Sequence, residues 1–172
     1  MSNPFATSFT APGCVEFIFA DSMNVDRLLE QFTQQGSGQI VGPHGSGKST
    51  LLHQLTDRLA STHALQRIDV RKFRKLPGLT PFHAVPGKLI FVIDGFEQLL
   101  PTAQQSFLQW TSQHDFGLLV TSHVQVAGLP LLFQTRPTLE VFRQLTELLL
   151  QRQGQSHRIK ELPIESSFNK RR

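Results

Sequence analysis

The chain has 172 residues and a formal charge of +4, with 39% hydrophobic and 17% charged residues. That is the size of one ordinary domain with a buried core, and neither a fibrous nor a disordered class fits. Its mild basicity permits contact with phosphates, nucleic acid or an acidic partner and demands none of them.

Residues 15–20 form a short apolar run and are expected as a strand. Ser22 is a candidate cap for a helix over 23–34, with Val25, Leu28, Leu29 and Phe32 on one face. A short strand over 39–41 leads into the glycine-rich stretch GPHGSGKST, residues 42–50. The periodicity then predicts a helix over 49–60, with Leu51, Leu52, Leu55 and Leu59 facing the core. A strand is expected over 67–70. Residues 71–87 read as irregular, with three prolines and the basic cluster RKFRK at 71–75. The continuous apolar run 89–93 predicts a strand buried on both faces. Pro101 and Thr102 start a helix to about residue 113. Strands follow over 117–120 and 131–133. Thr138 caps a helix to about residue 151, with Leu139, Phe142, Leu145 and Leu149 on one side. Residues 155–172 form a polar tail that ends in basic residues.

Strands alternating with helices predict an α/β fold in three layers, a mostly parallel sheet with helices on both faces. The reading treats 1–172 as a single domain, with 1–36 as a strand and helix extension and 155–172 as the tail. Cys14 is the only cysteine, so neither an intramolecular disulfide nor a thiolate metal cluster is expected. The residues MSNPFATSFT lack the pattern of a secretory leader. No run approaches the ~18 apolar residues of a membrane span. The expected location is the cytoplasm.

The stretch from Gly42 to Ser49 satisfies G-x-x-x-x-G-K-[ST]. Small residues let a backbone curl around a phosphate with its N–H groups turned inward. The helix that follows directs its partial positive end to the same place. Gly42, Pro43, His44, Gly45, Ser46, Gly47, Lys48, Ser49 and Thr50 are therefore the expected nucleotide-binding residues. Lys48 would reach the β- and γ-phosphates, Ser49 would bind Mg²⁺, and Thr50 would reach the α-phosphate.

Magnesium needs a carboxylate at a neighbouring strand end. The run LIFVI delivers Asp94 to the carboxyl edge of the sheet, where ligands bind in open α/β folds. Hydrolysis also needs a group to orient water. Glu97 and Gln98 lie just beyond Asp94, and either is a candidate. A third buried strand ends in the polar residues Thr121, Ser122 and His123, and the hydroxyls there are candidates for sensing the γ-phosphate or holding water. His44 and His123 lie in separate segments with no third ligand, which argues against zinc.

Together these motifs resemble those of the ASCE division of P-loop NTPases, which contains AAA+, STAND/NACHT and ABC ATPases. GPHGSGKST resembles the Walker A motif. LIFVIDGFEQL resembles Walker B in the form with a small residue after the aspartate, as in NACHT-type proteins. LLVTSH resembles the sensor-1 strand. The set is also similar to that of small bacterial P-loop proteins predicted to bind ATP. The resemblance covers residues 42–123. It implies an ATP- and Mg²⁺-dependent protein in which Lys48, Asp94, Glu97 and Thr121 act on the phosphates. It also implies that the strand ending at Val120 lies between the loop strand and the Asp94 strand.

This chain departs from the pattern in two ways. Gly95 stands where AAA+ and ABC proteins place a glutamate, and Gln98 replaces the second downstream acid of NACHT proteins. No arginine finger is assigned, although Arg136 follows the last strand. The favoured reading is a slow ATPase acting as a nucleotide switch with an unidentified protein partner. The alternatives are a non-hydrolysing nucleotide-binding scaffold and a small-molecule or nucleotide kinase. Asp94-Gly95-Phe96 echoes the kinase alternative, but Glu97-Gln98 stand where nucleoside-monophosphate kinases have Pro-Arg. The basic residues leave nucleic acid as a weaker partner. ATP is preferred to GTP because the Asn/Thr-Lys-x-Asp guanine signature is absent, and Phe17 or Phe19 is a candidate to stack on the base.

Overall fold

A computed structural model describes residues 15–20, 22–70 and 89–152. The basic cluster 71–75, the proline-containing stretch around it and the tail from 155 lie outside the described residues. The described elements run α1 (Val25–Gln35), β1 (Ser37–Val41), α2 (Lys48–Leu59), β2 (Ala64–Ile68), β3 (Leu89–Ile93), a 3₁₀ turn (Phe96–Gln98), α3 (Pro101–Gln113), β4 (Gly117–Ser122), β5 (Leu131–Gln134) and α4 (Leu139–Arg152).

The five strands form one parallel sheet in the order β2-β3-β4-β1-β5. β4 therefore lies between the loop strand and the Asp94 strand, as the ASCE resemblance implies. The kinase alternative requires β1 and β3 to be adjacent, and they are not.

The apolar run of β3 divides by period two. Leu89, Phe91 and Ile93 pack with Phe107 of α3 on one face, while Ile90 and Val92 pack with Leu51 and Leu55 of α2 and Leu28 of α1 on the other. Both faces are covered, which is why the run carries no polar residue. Register then sets the site. Ile93 pairs with Val120 and Val41 with Ser122, so Gly42, Asp94 and the end of β4 reach the same carboxyl edge.

Several elements differ from the sequence reading. In 15–20 only Val15 makes a ladder-type bridge. The segment is held by side chains, because Phe17, Phe19 and Phe133 form an edge-to-face trio with centroids 4.9–5.9 Å apart. Asn24, not Ser22, caps α1, its Oδ1 accepting from the Arg27 N–H at 2.9 Å. β2 starts at Ala64 because it is an edge strand, with Gln66 and Arg67 exposed, which dilutes its apolar pattern. The side of α4 with Leu139, Phe142, Leu145 and Leu149 is covered unevenly: Leu139 and Phe142 are 42% and 44% exposed, whereas Leu149 is buried, as is Leu150.

Gln39 is fully buried in β1. Its Nε2 donates to the carbonyls of Val126 and Leu129 at 2.9 and 2.7 Å, and its Oε1 accepts from the Val126 N–H at 2.8 Å. These bonds hold the short crossover from β4 to β5 against the sheet without a helix. Sequence reading treated Gln39 only as a strand residue, because the partners lie 87 and 90 positions away.

Candidate functional site

The glycines of 42–50 have separate physical causes. A Cβ on Gly42 would sit 2.0 Å from Thr135 Oγ1 and 2.6 Å from the Thr135 carbonyl oxygen, so only glycine fits there. Gly45 and Gly47 have φ of 71° and 87°, a region that favours glycine. Together they turn the chain from β1 into α2. Ser46 Oγ donates to the Pro43 carbonyl at 2.7 Å and lies 2.6 Å from Thr135 Oγ1. Thr135 thus anchors the loop from β5. It was missed in the sequence, where nothing marks a lone threonine 89 residues from Ser46.

α1 and α4 are capped by the side chains of Asn24 and Thr138. α2 begins at Gly47 without a side-chain cap, and the Leu51 N–H bonded to the Gly47 carbonyl at 2.9 Å closes its first turn. The preceding N–H groups at the helix start have no intrahelical partner. Unpaired donors at a helix start are the arrangement that suits an anion.

Lys48 is buried. Its Nζ donates to the carbonyls of Gly42 and Pro43, both at 2.8 Å, and lies 3.3 Å from His123 Nδ1. Burial lowers its pKa from the usual lysine value, and the carboxylates of Glu97 and Asp94 oppose that shift. The ammonium is thus surrounded by acceptors supplied by its own loop.

Asp94 follows β3 and is held from two sides. Ser49 Oγ donates to Oδ2 at 2.8 Å and Thr121 Oγ1 donates to Oδ1. Thr121 is fully buried and also accepts the Gly95 N–H at 2.9 Å. Its hydroxyl is therefore turned to the carboxylate and orients it. Gly95 has φ of 81°, and a Cβ there would lie 2.2 Å from Gln98 Nε2. A glutamate at this position would be strained by that positive φ, whereas Gln98 is exposed and its amide can move aside.

Glu97 lies on the 3₁₀ turn with a side chain only 19% exposed. Its Oε1 is 3.3 Å from His123 Nε2. Its Oε2 is buried and has no hydrogen-bond partner among the described residues. Gln98 is exposed. The rings of His44 and His123, which lie in separate segments of the sequence, are 3.6 Å apart between centroids.

Lys48, Ser49, Asp94, Glu97, Thr121 and His123 line one polar cleft of about 320 Å³. A second, mainly apolar cleft of about 580 Å³ opens on the other side of the loop, against Gly45, Ser46, Gly47 and Thr50. Phe17, Met23, Phe133, Val141, Phe142 and Leu145 line it. Phe19 packs edge-to-face on Phe17 and does not itself line the cleft. Arg136 borders the same cleft and is exposed, 3.1 Å from Gln134 Oε1.

No protein-family model and no curated protein sequence matches the chain. Among solved structures it is similar to a variant of Thermotoga maritima RuvB, with a TM-score of 0.52 and 15% identity over 76% of this chain and 49% of that one. It is also similar to the Thermotoga maritima RuvB Holliday junction branch migration motor (TM-score 0.49, 14% identity, 76% and 49%) and to C. elegans PCH-2 (0.46, 14%, 76% and 46%). The chain spans about half the length of these proteins. The fold is an AAA+-like P-loop fold. Among the described residues no helix is long and apolar enough to cross a membrane.

Proposed function

We propose that this AAA+-like P-loop chain binds Mg²⁺-ATP across its glycine loop and hydrolyses it slowly, as a nucleotide switch. The observation that carries the reading is the Ser49–Asp94 pair, 2.8 Å apart beside the uncapped start of α2. A hydroxyl and a carboxylate are hard oxygen donors, the kind Mg²⁺ accepts from protein while phosphates and waters complete its shell. The adjoining apolar cleft gives a nucleoside somewhere to go, with Phe17 at its wall.

Each residue then has a role. The amides at the start of α2 and Lys48 hold the phosphates, for which Lys48 leaves the carbonyls of Gly42 and Pro43. Ser49 and Asp94 hold the metal, which when bound would neutralise charge on the phosphoryl oxygens. Thr121 keeps Asp94 aimed. Glu97 is the acid available to orient water. The rate is slow because the usual acid position is Gly95 and because no arginine is assigned to the transferring phosphoryl group, a contribution of roughly 10³ to 10⁵ where present.

Lys48→Ala should cost about the worth of one charge-assisted bond, about 1.5–3 kcal/mol, because Lys48 gives up its carbonyl partners to reach phosphate, so Mg²⁺-ATP affinity should fall roughly 10- to 100-fold. Titration calorimetry checks this, and equal affinity in the two proteins would refute the phosphate site. A non-hydrolysing scaffold is the second reading, favoured by the engagement of Glu97 with His123. Single-turnover phosphate release separates the two.

A further inference from the structure

His123 has two ring nitrogens and three polar neighbours, and one proton does not serve all three. Nε2 lies 3.3 Å from Glu97 Oε1. Nδ1 lies 3.3 Å from Lys48 Nζ and 3.1 Å from the Gly42 carbonyl. The ammonium only donates, and the carbonyl and carboxylate only accept. With Lys48 in place, a neutral ring accepts from the ammonium at Nδ1 and donates from Nε2–H to Glu97. The Gly42 carbonyl takes its proton from Lys48.

Removing Lys48 reverses this arrangement. Nδ1 and the Gly42 oxygen would then be two acceptors 3.1 Å apart with no proton between them. Placing the N–H on Nδ1 relieves that contact, but it leaves Nε2 as a bare lone pair facing the Glu97 carboxylate.

We infer that His123 is a positioning residue whose tautomer couples Lys48 to Glu97. In the resting chain it holds Glu97 back. When phosphate draws Lys48 off the Gly42 and Pro43 carbonyls, the ring gives its Nε2 proton to water and takes one from water at Nδ1, with no change in charge. Glu97 then loses its donor and gains a repulsive neighbour. Its Oε2 has no hydrogen-bond partner among the described residues, so none of them holds that oxygen in place. Nε2 and the freed carboxylate become two acceptors facing the same cleft, suited to orienting a water. The His44 ring, tilted by 45° with its centroid 3.6 Å away, crowds a ring flip, leaving the tautomer change as the route. The functional consequence rests on reading the cleft as a nucleotide site, whereas the coupling of the three side chains does not.

The test is long-range ¹H–¹⁵N NMR of the histidine rings in the full chain at about pH 8, where an ordinary imidazole is neutral. The His123 signals are assigned by their loss in His123→Gln. Without nucleotide, the wild type should show Nε2–H. Lys48→Met keeps the apolar stem and removes the donor, and should show Nδ1–H. The same tautomer in both proteins, or a charged ring in either, overturns the coupling, since an imidazolium would donate to the Gly42 carbonyl and to Glu97 at once. A second arm adds Mg²⁺ and a non-hydrolysable ATP analogue to the wild type, with binding followed by calorimetry. Binding with a change to Nδ1–H supports the inference. Binding without that change overturns the inference and leaves the nucleotide reading standing. No binding overturns the nucleotide reading, and the Lys48→Met comparison still decides the coupling.

Discussion

The two clefts share the loop from Gly45 to Thr50 and differ in everything else. On one side the side chains are polar and bonded to each other: Ser49 and Thr121 to Asp94, and Lys48 near His123. On the other they are mainly apolar, and Phe142 stays 44% exposed. The polar cleft is assembled from one contiguous motif and two strand ends. The apolar cleft joins residues near 17 to residues near 142. Handling phosphate charge requires particular residue types at particular spacings. Accepting a flat apolar group requires area, which many sequences supply.

The comparison breaks first if the polar cleft does no chemistry. Glu97→Gln keeps the phosphate cradle and removes the acid. Turnover should fall about 10²- to 10⁴-fold, the usual range for a general base, with ATP affinity nearly unchanged. Steady-state phosphate release and calorimetry read the two quantities separately. Unchanged turnover would move the role to Gln98 or to the end of β4.

Asp94→Asn should act on the same side but differently. It halves the charge-handling donor pair with Ser49 and weakens the acceptor for Thr121. Turnover should fall roughly 10²- to 10³-fold, the scale for losing one preorganised electrostatic contact. Affinity should fall with it only when Mg²⁺ is present. A variant that binds equally well with and without Mg²⁺, at wild-type affinity, would remove Asp94 from the metal site.

How much of this was legible follows the same division. The run LIFVI predicts its own strand because burial on both faces leaves one composition possible. The sheet order came through the resemblance of three motifs, and β4 lies where that resemblance puts it. The segment 15–20 was misread because its aromatics mimic a strand while packing on Phe133. Edge strand β2 blurred for the opposite reason, since exposure removes the apolar signal. Thr135, Gln39 and the approach of His123 to Glu97 left no local trace. Each depends on chain separated by many residues, and hydrogen bonds of that kind impose no period. The exposure of Phe142 was equally hidden, because a helix face turned to a cleft carries the same residues as one turned to a core.

The apolar side is tested by a smaller effect. Phe142→Ala removes part of the wall of a half-exposed ring. That is worth about 1 kcal/mol, or roughly fivefold in ATP affinity. Inorganic tripolyphosphate has no base to place there, and its affinity should not change. Parallel titrations with both ligands compare the two sides of the loop directly. Equal losses for both would mean that Phe142 supports the loop itself, and that the two clefts are one structural unit.

The smallest effect is a fraction of a proton taken up by Lys48. Burial holds its pKa below the ordinary lysine value, against the pull of Glu97 and Asp94. The folded pKa is therefore below the unfolded one, and the charged form is carried at a cost below the folded pKa. As pH rises from the folded pKa towards the unfolded pKa, the unfolded chain holds more protons, so this group's contribution to stability rises with pH. Phosphate oxygens favour the ammonium and raise its pKa again. Nucleotide binding in that alkaline window should take up part of a proton, and affinity should fall as pH rises through it. Calorimetry in buffers of different ionisation heat measures the uptake, and Lys48→Met should abolish its contribution. Tripolyphosphate should show the same uptake as ATP, since both reach Lys48, while Phe142→Ala should leave it unchanged. Uptake that persists in Lys48→Met would place the titrating group elsewhere in the cleft.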